Sequence, residues 1–116
     1  MRNDKDNLIV NLTFDFALEV ITYCEILEEK RKYVISRQLL KSGTSIGANV
    51  REAQNAESKA DFIHKLKISA KEADETAYWL LLCQHSKNYP NCEGLLEKIQ
   101  SIQRVLSKII ASSKSS

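Results

Sequence analysis

Residues that interrupt helices are scarce in this sequence, which has one proline and three glycines among 116 residues. Hydrophobic residues make up 43% of the chain and charged residues 28%, an ordinary balance for a soluble globular protein that argues against disorder. Alanine, leucine, glutamate and lysine all favour helices. Because a chain of this length can bury a core without disulfide or metal staples, we expect a single helical domain.

Long apolar segments are also lacking, since no run reaches the roughly 18 residues that a membrane-spanning helix requires. The charged residues near Met1 do not suit a secretory leader. We therefore expect a cytoplasmic protein with no membrane partner. The formal net charge of +2 permits nucleic-acid binding only if positive charge gathers on one face.

Cysteine and histidine are too few and too scattered for most catalytic and metal sites. The three cysteines, Cys24, Cys83 and Cys92, form no C-x-x-C pair, which favours reduced, structural thiols. The two histidines, His64 and His85, cannot supply the two E-x-x-H ligand pairs of a di-metal bundle, and no Ser-His-Asp or Cys-His spacing is present. The sequence thus predicts no catalytic residue, metal, cofactor or small-molecule substrate.

What the sequence does contain is helical periodicity, because apolar or small residues recur at alternating spacings of four and three in three long segments. The earliest of these seams comprises Ile35, Leu39, Ser42, Ile46, Asn49, Ala53 and Ala56. The next comprises Phe62, Leu66, Ser69, Ala73, Thr76, Leu80 and Cys83, and follows a capping-box signal at Ser58 to Asp61. The last, beyond Pro90 and Asn91, comprises Leu95, Ile99, Ile102, Leu106 and Ile109.

A further helix is predicted before these three, although the stretch IVNLTFDF partly alternates as a strand would. Helical spacing is kept by Phe16, Val20, Tyr23 and Leu27. We place this helix from Thr13, as its N-cap with an acidic residue in the first turn, to residue 29. Residues 1–12 are then an N-terminal tail and extended arm.

Short links at about 30–33, 57–58 and 88–91 join the four predicted helices. Helices joined in this way pack most simply as an antiparallel up-down-up-down four-helix bundle. The sequence therefore predicts an all-α fold with the bundle over residues 13–111 and a frayed C-terminal tail over 112–116.

Two glycines, Gly43 and Gly47, fall inside the second predicted helix. Phosphate binding would require them at the start of a helix, whereas small residues four apart on one face let a neighbouring helix approach closely. We therefore interpret both as packing residues. Asn49 lies in the apolar seam, where a buried amide needs a partner; fixing the helix register and contacting a ligand are both open.

The central segment from Gln38 to Leu80 resembles the four-helix bundle proteins encoded in intervening sequences of bacterial 23S rRNA genes. Ser45, Ile46, Asn49 and Glu52 match the family pattern S-[IV]-x-x-N-[IV]-x-E. Phe62, Ile63, Leu66, Glu75 and Leu80 fit its third helix. Many members carry proline at the position of Gly47 and glycine at that of Ala53, so we expect a straighter second helix here.

The resemblance implies a bundle that assembles into a ring-shaped homopentamer; for the intervening-sequence proteins themselves no biochemical activity is established. It also implies relatedness to the accessory proteins of diversity-generating retroelements. Those accessory proteins resemble proteins that work together with a reverse transcriptase and RNA. Apolar residues outside the helical seams independently favour self-association, namely Leu40, Val50, Ile68, Leu81 and Leu82.

Basic residues concentrate in the middle of the chain. A tight link between the second and third helices predicts that Arg37 and Lys41 lie near Glu75 and Glu72, which would neutralise them. The cations expected to stay available for phosphates surround the junction of these helices: Arg51, Lys59, Lys65 and Lys67. Two functions remain open, a non-enzymatic oligomeric scaffold or adaptor, and an accessory protein that binds RNA or a nucleic-acid-processing protein through a repeated basic surface.

Overall fold

The computed structural model describes residues 7–115, which form four α-helices. The helices are α1 (Leu8–Glu29), α2 (Tyr33–Gln54), α3 (Lys59–His85) and α4 (Glu93–Ser115). Each helix packs on its neighbours in the chain, and α1 also packs on α4, so α1 and α3 lie diagonally across the bundle. The molecule measures 47 × 21 × 21 Å. The predicted antiparallel up-down-up-down bundle is thereby confirmed.

The first helix begins at Leu8, so the prediction that Thr13 is its N-cap is wrong. The side chain of Asn7 caps the helix instead, accepting a hydrogen bond from the Val10 N–H at 3.4 Å. Thr13 is buried inside α1, and its hydroxyl donates to the Ile9 carbonyl at 2.8 Å. Burial of Ile9 and Val10 in the core outweighs the partial alternation of this stretch. Residues 1–6 of the predicted arm lie outside the described residues.

The remaining helix ends differ less from expectation. Ser58 caps α3 as predicted, accepting from the Asp61 N–H at 3.0 Å. The segment 112–115, predicted as part of a frayed tail, continues α4, and residue 116 lies outside the described residues. The link between α2 and α3 covers residues 55–58 and is two residues longer than predicted.

The register of α2 against α3 differs from the predicted one, as the hydrogen bonds of Ser69 with Ile46 and of Thr76 with Ser42 show, and this changes which charged residues meet. Lys65 forms an ion pair with Glu52 at 3.0 Å, whereas the predicted pairs of Arg37 with Glu75 and Lys41 with Glu72 do not form. The carboxylate of Glu75 accepts instead from the Trp79 indole N–H at 3.0 Å.

Between α2 and α3 the core contains small polar side chains whose hydrogen bonds are satisfied. The Ser69 hydroxyl donates to the Ile46 carbonyl, and the Thr76 hydroxyl donates to the Ser42 hydroxyl, both at 2.9 Å. Serine and threonine side chains are small, so the backbones of α2 and α3 lie close together. The short side chains can therefore form hydrogen bonds from one helix to the other.

Gly43 and Gly47 of α2 both face α1, but α1 leaves different amounts of space for a side chain at the two positions. A Cβ atom on Gly43 would lie 2.9 Å from Val20 Cγ1, closer than a carbon contact allows, whereas one on Gly47 would lie 3.4 Å from the Thr13 carbonyl oxygen, an ordinary contact. Close approach of α1 therefore requires a glycine at position 43 and allows a larger residue at position 47.

Candidate functional site

The four cations predicted to bind phosphates do not form one free cluster at the α2–α3 junction. Lys65 is engaged by Glu52. The Arg51 guanidinium lies over the ring of Phe14, 5.5 Å from its centroid, and Lys59 also has an interaction partner. Lys67 points toward α4, where the neighbouring Lys114 ammonium lowers its pKa. The predicted surface is therefore divided between two sides of α3.

The three cysteines are free and buried, as their scattered spacing predicted. Burial raises the pKa of the Cys24 thiol to about 11, partly offset by its contact with Ser36. Burial also raises the pKa of Cys83 to about 11. Because the thiolate is the nucleophilic form, these groups are protonated at neutral pH and suit packing rather than catalysis.

Two clefts lie along the contact between α1 and α4. A cleft of about 410 Å³ lies between Leu18, Ile26 and Leu95, with Cys92 and Tyr23 also in its wall. Another, of about 390 Å³, lies beside Phe16 and Ile102. An ion pair between Lys98 and Glu19 stands at the boundary of the clefts.

These clefts offer little catalytic chemistry. The Tyr23 hydroxyl donates to the Pro90 carbonyl at 2.6 Å, and burial raises its pKa, so it remains a hydrogen-bond donor. Within residues 7–115, no three His, Cys, Asp or Glu side chains come together as metal ligands would.

Exposed apolar side chains of residues 7–115 include two groups that each gather on one face, besides Leu8, Ile26, Tyr33 and Val34. The first apolar face consists of Phe14, Leu18 and Ile21, spaced four and three residues apart on α1, together with Leu40 on α2; Phe14 and Leu18 are 49% and 51% exposed. Contacts of Val20 with Gly43 and of Cys24 with Ser36 place Leu40 level with Ile21.

The second apolar face lies on α3 and consists of Tyr78, Leu81 and Leu82. Tyr78 is 56% exposed and Leu81 48% exposed, and Leu82 is half-buried. Because α1 and α3 are diagonal, the two faces lie on opposite sides of the bundle. Val50, which was expected to extend the apolar surface, belongs instead to the core; Ile68 is half-buried.

The chain is similar to a known protein family and to a solved structure. Residues 5–108 match the family described as 23S rRNA-intervening sequence protein. The chain belongs to this family. A similar solved structure is a protein of unknown function from the S23 ribosomal protein family of Bacteroides thetaiotaomicron VPI-5482, determined at 1.70 Å. It shares 40% identity with a TM-score of 0.84, over 88% of this chain and 97% of the other. No curated protein matches the chain.

The family motif lies along α2 and makes contacts both within that helix and to α3. The Ser45 hydroxyl donates to the Lys41 carbonyl at 2.7 Å, and the Asn49 amide donates to the Ser45 carbonyl at 2.9 Å. Asn49 is half-buried and bonds within its own helix, so it does not fix the register between helices as one interpretation expected. Two motif residues reach α3: the Ile46 carbonyl accepts from the Ser69 hydroxyl, and the Glu52 carboxylate accepts from the Lys65 ammonium.

Neither the family description nor the solved relative names an enzymatic activity. Among the described residues, no helix has both the length and the apolar character needed to cross a bilayer. Sequence reasoning missed Phe14, Leu18 and Ile21 as a surface, although their spacing of four and three was present in the sequence.

Proposed function

We propose that this protein is a cytoplasmic, non-enzymatic scaffold that associates with copies of itself head to tail. The observation that carries the proposal is the pair of apolar faces on diagonal helices. The two faces differ in their residues, so contact between them is heterologous, and such a contact closes into a ring when the rotation between subunits divides a full turn. The family resemblance favours five subunits.

Burying these faces is favourable because apolar surface gains roughly 25 cal/mol for each Å² removed from water. Side chains spaced four and three residues apart, as Phe14, Leu18 and Ile21 are, form the stripe by which helices of different chains pack. Aromatic residues such as Tyr78 are enriched at protein interfaces.

In a ring, any surface outside the two apolar faces would be repeated as many times as there are subunits. Repetition strengthens weak individual contacts by raising the effective concentration of the second binding site. An adaptor role follows from this geometry and needs no reactive side chain, which agrees with the protonated, buried thiols.

Light scattering after size exclusion tests the proposal on the unmodified chain. At micromolar concentration we expect one species of about 66 kDa, five times the chain mass of 13.2 kDa. A species of 13.2 kDa under these conditions would overturn the scaffold proposal. A broad, concentration-dependent series of masses would show that the head-to-tail contact does not close.

A further inference from the structure

The bundle carries basic residues without acidic ones along two adjacent helix segments. From Lys98 to Ser116 the sequence has four basic residues and no aspartate or glutamate. From Phe62 to Lys71 it has three lysines and again no acidic residue. Because α3 and α4 pack side by side, the two segments combine their charge on one part of the surface.

A hydrogen bond between the helices fixes how these segments align. The Gln103 amide donates to the Asp74 carboxylate at 2.9 Å. In the antiparallel pair this contact places Lys71 level with Leu106, and Lys67 level with Ile110. Both lysines therefore lie beside the α4 segment that carries three further cations. We call the group the cationic strip; it consists of Lys67, Lys71, Arg104, Lys108 and Lys114.

No ion pair within residues 7–115 engages the cationic strip; the nearby Asp74 carboxylate accepts from the Gln103 amide. The ion pairs of residues 7–115 involve Lys65 and Lys98, which lie outside the strip. Lys114 is close enough to Lys67 to lower the pKa of Lys67, and Lys71 contributes to a smaller extent. The acidic Asp61 near the start of α3 is directed to the α2–α3 link, where it accepts from the Glu57 N–H at 3.2 Å.

Neutral hydrogen-bond donors accompany the cations on α4. A shallow cleft of about 370 Å³ is lined by Gln100, Gln103, Arg104, Ser107 and Lys108. Amide, hydroxyl, guanidinium and ammonium groups are the side chains that contact phosphate oxygens in nucleic-acid complexes. The strip and its cleft thus offer both charge and donors to a phosphate chain.

We propose that the cationic strip binds the phosphate backbone of a nucleic-acid strand. Arg104 and Lys114 are about 15 Å apart along the axis of α4 at 1.5 Å per residue, so the strip can follow several consecutive phosphates. It contains no aromatic side chain, so bases are not stacked and recognition is independent of sequence. The α3 residues of the strip, Lys67 and Lys71, lie in the first half of that helix, away from Tyr78 and Leu81, so this binding does not depend on the proposed self-association.

Two triple variants with the same change in charge test the assignment. The strip variant carries Lys67→Gln, Lys108→Gln and Lys114→Gln; the matched control carries Arg51→Gln, Lys59→Gln and Lys65→Gln at the α2–α3 junction. Binding of a labelled single-stranded RNA of about 20 nucleotides is measured by fluorescence anisotropy from about 50 to 200 mM salt. Circular dichroism and light scattering check that helix content and subunit number are unchanged.

We expect the strip variant to bind at least about tenfold more weakly than the unmodified protein, and the control to stay within about threefold. The slope of log affinity against log salt should fall by about two in the strip variant, since each phosphate contact on a single strand contributes roughly 0.7. Equal losses in both variants would overturn the assignment to the strip. If the unmodified protein does not bind RNA at about 50 mM salt, the proposal is overturned. Binding of a polyanion without phosphates, such as polyglutamate, would not change that conclusion.

Discussion

The Leu18→Glu variant is expected to be a monomer at concentrations where the unmodified protein is an oligomer. Leu18 is at the centre of the first apolar face, between Phe14 and Ile21, and is 51% exposed on the isolated bundle. A carboxylate placed there would be buried without a partner on association, which costs several kcal/mol. Each loss of about 1.4 kcal/mol weakens association tenfold, so the shift in dissociation constant should exceed a factor of about 100.

A substitution of the same chemistry outside both faces provides the control. Val34 is 66% exposed in the first turn of α2 and belongs to neither apolar face. We expect Val34→Glu to keep the mass of the unmodified protein in light scattering. If Val34→Glu dissociated the oligomer while Leu18→Glu did not, the interface would have to lie elsewhere.

The second large effect is expected when alanine replaces Gly43 of α2. Gly43→Ala should destabilise the bundle, because its Cβ would lie 2.9 Å from a Cγ of Val20. Val20 is fully buried, and a valine in a helix has essentially one rotamer. Overpacking typically costs about 1 to 3 kcal/mol, and alanine gains roughly 1 kcal/mol over glycine in a helix, so the net destabilisation is expected to reach about 2 kcal/mol.

Gly47→Ala is the matched comparison and should have the opposite sign. Its Cβ would make an ordinary contact, 3.4 Å from the Thr13 carbonyl oxygen, so the gain in helix propensity of up to about 1 kcal/mol remains. Urea unfolding followed by circular dichroism measures both free energies. Equal effects in the two variants would show that α1 adjusts its distance to α2, and that Gly43 is not required for close packing.

Helical periodicity was sufficient to predict the core of three helices. Leu66, Leu80, Ile99 and Leu106 were placed in the seams by their spacing, and each is fully buried. The start of α1 could not be predicted in the same way, because its apolar residues fit a strand and a helix equally over a few positions. Burial of Ile9 and Val10 against the other helices decides the conformation, and that contact depends on the whole bundle.

The charged surface was predicted less well than the core, because it depends on which helices are neighbours and at what register. The register of α2 against α3 differs from the predicted one, and Lys65 meets Glu52 in an ion pair. The contribution of α4 was missed for a related reason. Lys67 and Lys114 are far apart in the sequence, and only the antiparallel packing of α3 on α4 brings them together.

Mixing two single-face variants tests head-to-tail association most directly. Leu18→Glu disrupts the first apolar face and keeps the second, whereas Leu81→Glu does the reverse. Each variant alone should be a monomer of about 13.2 kDa. The mixture should form a one-to-one heterodimer of about 26 kDa, twice the chain mass of 13.2 kDa, through the single pair of intact faces. Native mass spectrometry with one variant isotopically labelled distinguishes this heterodimer from homodimers, and a mixture that remains monomeric would contradict the account.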